Sequence, residues 1–227
     1  MKKAKLIVAL DVETFEKARD LVERLAPVVE IFKVGPVLFT AYGPQVVDLV
    51  HAQKRSVFLD LKFHDIPNTV ALSVRQAVRL GVMMMTLHAS GGNQMINAAA
   101  EAARDEAQKC GVAKPLIVGV TVLTSQEASF ETVLTLAQQG IDAGLDGVVA
   151  SVRETSALRK AIKKDFVIVT PGIRPAGAQA DDQKRVATVF DAVKAGSSFL
   201  VVGRPIIEAA DPVAVARGMV QALETAV

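Results

Sequence analysis

Short apolar runs rich in Val, Ile and Leu recur eight times along the chain, with amphipathic helical stretches between them. The runs are Leu6 to Leu10, Ile31 to Val34, Ser56 to Leu61, Met83 to Leu87, Leu116 to Val122, Gly147 to Ala150, Val167 to Thr170 and Phe199 to Val202. Strands that are apolar on both faces need cover on both, the condition of a parallel sheet wrapped in helices. Spread over 227 residues, the units average about 28 residues each, near the ~30 that a strand–helix–strand step takes. The spacing predicts an α/β fold, a (β/α)8 (TIM) barrel, with residues 1–227 as a single domain without a linker. Phe15 to Leu25 has helical spacing, and Glu101, Arg104, Asp105, Glu106 and Lys109 are expected to line the solvated face of a later helix.

Composition removes several classes of function. Lys and Arg number 26 against 24 Asp and Glu, a net charge of +2 that selects no polyanionic partner. Aromatic residues make up only 4% with no Trp, which leaves few platforms for stacking bases, so no nucleic acid is expected as a partner. Cys110 is the only cysteine, which excludes an intrachain disulfide framework and a multi-cysteine zinc site and fits a reducing compartment, the cytoplasm. Met1-Lys2-Lys3 followed by Leu6 to Leu10 begins like an export signal, but Asp11 ends the apolar run too early. The uncharged stretch Leu80 to Ala100 contains Ser90-Gly91-Gly92-Asn93-Gln94 at its middle. It reads as strand, turn and helix, and no membrane association is expected.

In such a barrel the reacting groups gather where strands end, so polar residues that close apolar runs are the candidates. Asp11 closes the first run, Lys33 the second, Asp60 and Lys62 the third, His88 the fourth, Thr121 and Thr124 the fifth, and Gly203-Arg204 the eighth. Asp60 and Lys62 lie two apart and are expected on one side of the pleat, pointing into the barrel mouth. Asp65 follows, with Pro67 suited to the first turn of the next helix. With Lys33 from the neighbouring strand, an array of two carboxylates and two lysines is inferred. Structural salt bridges at the rim are the other reading, but position on the catalytic face favours function. A second constellation, Val201-Val202-Gly203-Arg204-Pro205, offers close backbone approach, a guanidinium and a helix start, a combination suited to phosphate. Arg174 and Gln183, in the aperiodic stretch Pro171 to Gln183, add further donors.

Other candidates have plainer readings. His51 is expected near a helix end and His64 in a loop, both as surface residues, while His88 either orients the site or is structural. Met83, Met84 and Met85 fill core, Cys110 is an inert thiol at a helix end, and Arg159, Lys160, Lys163 and Lys164 complement a helix C-terminus. No trio of His and carboxylates has metal spacing, and no metal or cofactor is expected.

Four segments resemble the orotidine 5'-phosphate decarboxylase family, bacterial branch: Asp60-Leu61-Lys62-Phe63-His64-Asp65-Ile66-Pro67-Asn68-Thr69, Leu87-His88-Ala89-Ser90-Gly91-Gly92, Thr170-Pro171-Gly172-Ile173-Arg174-Pro175 and Val202-Gly203-Arg204-Pro205. The resemblance implies cofactor-independent decarboxylation of orotidine 5'-monophosphate (OMP) to UMP, the last step of pyrimidine nucleotide synthesis. It implies that Lys62 donates the proton, that Lys33, Asp60 and Asp65 complete the charged network, and that Asp65 reaches the other subunit's site in a homodimer. Asp11 and Lys33 would hold the ribose, Thr124 the pyrimidine, and Arg174, Gln183, Gly203 and Arg204 the phosphate, with Ile66 and Thr69 lining the partner's site. Two other functions compete: a metal-dependent sugar-phosphate decarboxylase on a related barrel, such as 3-keto-L-gulonate 6-phosphate decarboxylase, and a non-catalytic phosphate-ligand sensor. Lys33 stands where the metal-dependent branch places an acidic ligand, and the intact Asp60, Lys62 and Asp65 set argues against a sensor.

Overall fold

A computed structural model describes residues 3–123, 128–175 and 187–226. Eight parallel strands close into a barrel: β1 (Lys5–Ala9), β2 (Ile31–Val34), β3 (Ser56–Phe63), β4 (Met84–His88), β5 (Leu116–Val120), β6 (Gly147–Val149), β7 (Val167–Thr170) and β10 (Phe199–Val202). Each pairs with its neighbour in sequence order, and β10 closes the ring against β1, with Leu6 opposite Leu200 and Val8 opposite Val202. The apolar runs therefore mark the strands to within two residues at either end. The largest shifts are at β3, which continues through Lys62 and Phe63, and at β5, which ends at Val120.

Alternation along the strands divides the core in two, because successive side chains leave a strand on opposite faces. Ile7, Ala9, Ile31, Phe58, Met84, Val118, Val169 and Val201 pack together inside the barrel. Leu6, Val8, Leu10, Val57, Leu59, Met85 and Leu87 point the other way and meet the helices. The helix starts are written locally. Thr14 caps α1 (Phe15–Leu25) by accepting from the Lys17 amide, and Pro67 opens α4 (Pro67–Arg79), where a missing N–H costs nothing. After β4 a single 3-10 turn, Ala89–Gly91, leads into α5 (Gly92–Cys110), so the uncharged Leu80 to Ala100 stretch is indeed strand, turn and helix. Among the described residues no helix is long and apolar enough to cross a membrane.

One expectation about the outer shell is corrected and another is extended. Glu106 is buried, because Arg75 and Arg79 of α4 reach across to its carboxylate at 3.3 and 2.6 Å and draw it into the α4–α5 seam. Arg159 lies in the last turn of α7 (Val152–Ala161), at the helix C-terminus as expected, and does more than complement it. Its guanidinium donates to the carbonyls of Gly196 and Phe166 and to Ser198 Oγ, and it stacks on the Phe166 ring at 4.5 Å. This ties the base of α7 to the starts of β7 and β10. The stretch read as aperiodic also contains structure: β8 (Ile173–Arg174) pairs in parallel with β9 (Ala187–Thr188).

Candidate active site

The ends of the first three strands bring four charged side chains together. Parallel register sets Lys33 beside Ala9 on one side and Phe58 on the other, so its side chain lies between the groups that follow β1 and those of β3. Lys33 Nζ donates to Asp11 Oδ1 at 2.9 Å and stands 3.5 Å from Asp60 Oδ2, the same oxygen that Lys62 Nζ reaches at 3.0 Å. The result is a continuous alternation of charge, Asp11, Lys33, Asp60, Lys62. Lys33 is only 8% exposed, although an ammonium is seldom buried without partners.

Lys62 reaches this position by an irregular route. The expectation of a plain pleat through Asp60 and Lys62 is corrected. β3 pairs with β4 at Leu59–Met85 and next at Phe63–Leu87, so the segment between bulges, and Lys62 takes φ +52°. A non-glycine residue in the left-handed region costs about 1–2 kcal/mol, and such backbone gathers at functional sites. The amide of Lys62 donates to Thr86 Oγ1 at 2.9 Å, and that hydroxyl donates to Asp60 Oδ1 at 2.9 Å. Burial alone would raise the Asp60 pKa. The charges of Lys33 and Lys62 and the hydrogen bonds from Lys62 and Thr86 outweigh it and hold the carboxyl below its ordinary value. Asp60 is therefore an anion at neutral pH, fixed at both oxygens.

The array opens on a cleft of about 260 Å³ at the barrel mouth. One side of the cleft is charged, with Asp11, Lys33, Asp60 and Lys62; its floor is apolar, with Phe58, Val120, Val149 and Val169. The same cleft is also lined by Gly172 and by Arg174, Gly203 and Arg204, the last three among the groups expected to hold phosphate, with Gly203 close beside Asp11. Gly203 precedes the short helix α9 (Arg204–Ile207), and Pro205 lies in its first turn. Gly172 has φ +78°, which lets the chain turn tightly after β7 into the Arg174 segment.

The remaining expected residues divide as follows. Asp65, Ile66 and Thr69 are exposed and do not line the cleft of their own chain, and Asp65 Oδ1 accepts from the Ile66 amide at 2.7 Å. Within one chain the second carboxylate of the array is thus Asp11, not Asp65. Thr124 and Gln183 lie outside the described residues. Thr121 is buried, with Oγ1 3.4 Å from the Val149 carbonyl, and is not part of the cleft wall. His88 ends β4, its ring centroid 5.2 Å from that of His64; burial, then the neighbouring His64 and Lys62 charges, lower its pKa.

Two positions escaped the sequence reading. Thr86 sits inside the apolar run Met84-Met85-Thr86-Leu87, where a lone hydroxyl on an otherwise apolar strand was the available signal. Gly35 is the other: a Cβ there would lie 3.2 Å from Lys33 Nζ and 3.4 Å from Asp11 Oδ1, so the glycine leaves room for the ion pair. Among the described residues no three His, Cys, Asp or Glu side chains are grouped to hold a metal ion.

Comparison with known proteins shows where this cleft belongs. Residues 4–219 match the family described as orotidine 5'-phosphate decarboxylase / HUMPS. The chain belongs to that family. An orotidine 5'-phosphate decarboxylase of Moorella thermoacetica is 49% identical over 234 residues, covering 98% of this chain and 93% of the relative. One from Syntrophotalea carbinolica is 47% identical over 238 residues, covering 98% and 96%. In three dimensions the chain resembles the crystal structure of orotidine 5'-phosphate decarboxylase from Lactobacillus acidophilus, with a TM-score of 0.85 and 35% identity across 98% of this chain and 100% of that one. The decarboxylase family resemblance of the four sequence segments thus extends over nearly the whole barrel.

Proposed function

We infer that the chain decarboxylates OMP to UMP in pyrimidine nucleotide synthesis, with Lys62 as the proton donor and without a metal or organic cofactor. Family membership and the similarity to named decarboxylases support the activity. One observation supports the assignment of roles: a single cleft is lined both by the Asp11–Lys33–Asp60–Lys62 array and by Arg174, Gly203 and Arg204. That matches a ligand with a reacting ring at one end and a phosphate at the other.

The chemistry follows from the charges. Breaking the bond between C6 and the carboxylate releases CO₂ and leaves the electron pair on C6, where no neighbouring group delocalises it. The Lys62 ammonium offsets that charge and then transfers a proton to C6, giving UMP. Asp60, ionised and fixed, opposes the substrate carboxylate and favours its departure. Asp11 and Lys33 hold the ribose, and Lys33 also keeps Asp60 charged. A unit charge pair at 4 Å is worth about 4 kcal/mol at an effective dielectric of 20. Enzymes lower barriers by ~8–23 kcal/mol, so one lysine is not enough and the phosphate end must contribute binding energy to the reacting end.

The active form is a homodimer in which Asp65, Ile66 and Thr69 complete the cleft of the partner subunit. Their exposure supports this, as do the 66% exposed Ile66 and 53% exposed Leu72 on the same region, apolar surface that an interface would cover. The nucleotide substrate and the exposed free thiol of Cys110 fit the cytoplasm.

The test is loss of OMP absorbance with CO₂ release by protein dialysed against EDTA. Full activity supports the reading. Activity that disappears with EDTA and returns with a divalent cation, or turnover of a sugar phosphate in place of OMP, would overturn it.

A further inference from the structure

Among the described residues, Thr86 is the one polar side chain that joins the backbone of the bulged strand to its charged side chains. Between Leu59 and Phe63 lie three residues of β3, whereas between their partners Met85 and Leu87 there is only Thr86. A regular parallel strand would offer a backbone carbonyl to each amide that faces it across this gap, every second one along the chain. Here the Lys62 amide finds the Thr86 hydroxyl at 2.9 Å. A hydroxyl has one proton to give; with the amide held as donor, that proton goes to Asp60 Oδ1, also at 2.9 Å. The other Asp60 oxygen is left for the ammonium groups of Lys62 and Lys33. Thr86 is fully buried and forms no part of the cleft wall. Its β-branched side chain has restricted freedom about χ1, so the hydroxyl is a fixed point.

We propose that Thr86 is a positioning residue: its hydroxyl holds the Lys62 backbone in the left-handed conformation and locks the Asp60 carboxylate so that the two ammonium groups meet it from the cleft side. This rests on the roles given to Asp60 and Lys62 above. It adds that the aim of the proton donor is set from the neighbouring strand by a group that never meets the substrate. Valine has nearly the same shape as threonine and makes neither bond, so Thr86→Val removes the aiming device while filling the space. Serine keeps both bonds.

The experiment measures OMP turnover and UMP binding for the dimeric wild type, Thr86→Val and Thr86→Ser across the pH range where the protein stays folded, with Lys62→Ala in parallel. For Thr86→Val, kcat is expected to fall about 10–100-fold while KM for OMP and Kd for UMP stay within about 3-fold, because the wall of the cleft is unchanged. The acid limb of its kcat profile moves to higher pH, since Asp60 loses a bond that favours its anion; Lys33, Lys62 and, further out, His88 are the other titratable groups around it. Thr86→Ser restores kcat to within about 3-fold of wild type. Thr86→Val with wild-type kcat and an unshifted acid limb overturns the proposal, and so does a uniform loss of kcat and UMP affinity that Thr86→Ser does not reverse. If Thr86→Val does not fold, Thr86→Ser and Thr86→Ala make the same comparison: Ser fast and Ala slow supports the proposal, while equal kcat overturns it. A fully active Lys62→Ala would instead remove the underlying reading of the proton donor, so the two failures are told apart.

Discussion

Two carboxylates in this barrel, one buried and one half-buried, each sit between two cations, and they differ in what the cations can do. Glu106, in the seam between α4 and α5, takes Arg79 on one oxygen at 2.6 Å and Arg75 on the other at 3.3 Å. Asp60, at the barrel mouth, takes Lys62 and Lys33 on one oxygen, at 3.0 and 3.5 Å, and a hydroxyl on the other. A guanidinium is planar, spreads its charge and does not give up its proton, so the Glu106 cluster is a closed fastening between helices. An ammonium is a compact charge with a transferable proton and three donors, not all of them used by Asp60. Arginine ends a charge network, whereas lysine at a cleft leaves it open to a substrate. On the proposed reading the same pairing of charges is structural in one place and chemical in the other.

The largest effect that would break this contrast comes from Lys62→Arg. It keeps the positive charge but removes a proton that can be transferred at neutral pH, so kcat for OMP is expected to fall by about 10²–10⁴-fold, the range that a positioned proton donor contributes. Near-normal turnover, measured by absorbance, would erase the distinction between the two clusters. Next in size is a mixing experiment on the proposed shared site. Lys62→Ala and Asp65→Ala proteins, each nearly inactive alone, should recover about a quarter of wild-type activity after subunit exchange, since half the dimers then carry one intact site. No recovery despite proven exchange would place Asp65 outside the partner's cleft. Arg204→Ala is expected to lower kcat/KM for OMP by about 10–100-fold and to leave turnover of phosphate-free orotidine unchanged, which localises the effect at the anion end. Glu106→Gln is expected to lower Tm by several degrees with kcat unchanged, the reverse of Lys62→Arg.

Acid titration sharpens the contrast with the smallest effect. Asp60 is held below its ordinary 3.8 and Glu106 below 4.5, Asp60 by lysine charges that overcome its burial and Glu106 chiefly by its hydrogen bond from Arg79. A lowered folded pKa stabilises the fold fully above the unfolded value, and that contribution is lost as pH falls towards the folded one. The Tm gap between wild type and Glu106→Gln should therefore be constant near neutrality and shrink below about pH 4.5. A gap that widened in acid would contradict the direction of the shift.

The sequence carried the barrel well because its strands are apolar on both faces and its helices on one, so periodicity alone separates them. Strands β2, β7 and β10 begin and end where the apolar runs do. The charged ends of β1, β2 and β3 were legible for the same reason: Asp11, Lys33, Asp60 and Lys62 interrupt apolar runs at the catalytic end. What was not legible depends on register and on side-chain reach. The bulge that puts Lys62 at positive φ arises from a mismatch with β4 and has no mark within β3 itself. Thr86 was hidden because a single hydroxyl in a buried strand usually bonds its own backbone, and its partners lie 24 and 26 positions away. Glu106 was read as solvated because its helix pattern is charged. Its partners belong to a different helix, Arg79 lying 27 residues earlier.

That the barrel mouth stabilises and protonates a carbanion with its own lysine is tested most directly by OMP decarboxylation in EDTA-dialysed protein, wild type beside Lys62→Ala, with UMP affinity measured on both. Full wild-type turnover is expected, with a variant slower by about 10³-fold or more that still binds UMP. A variant as fast as wild type, or a wild type that stops when metal is removed, would contradict it.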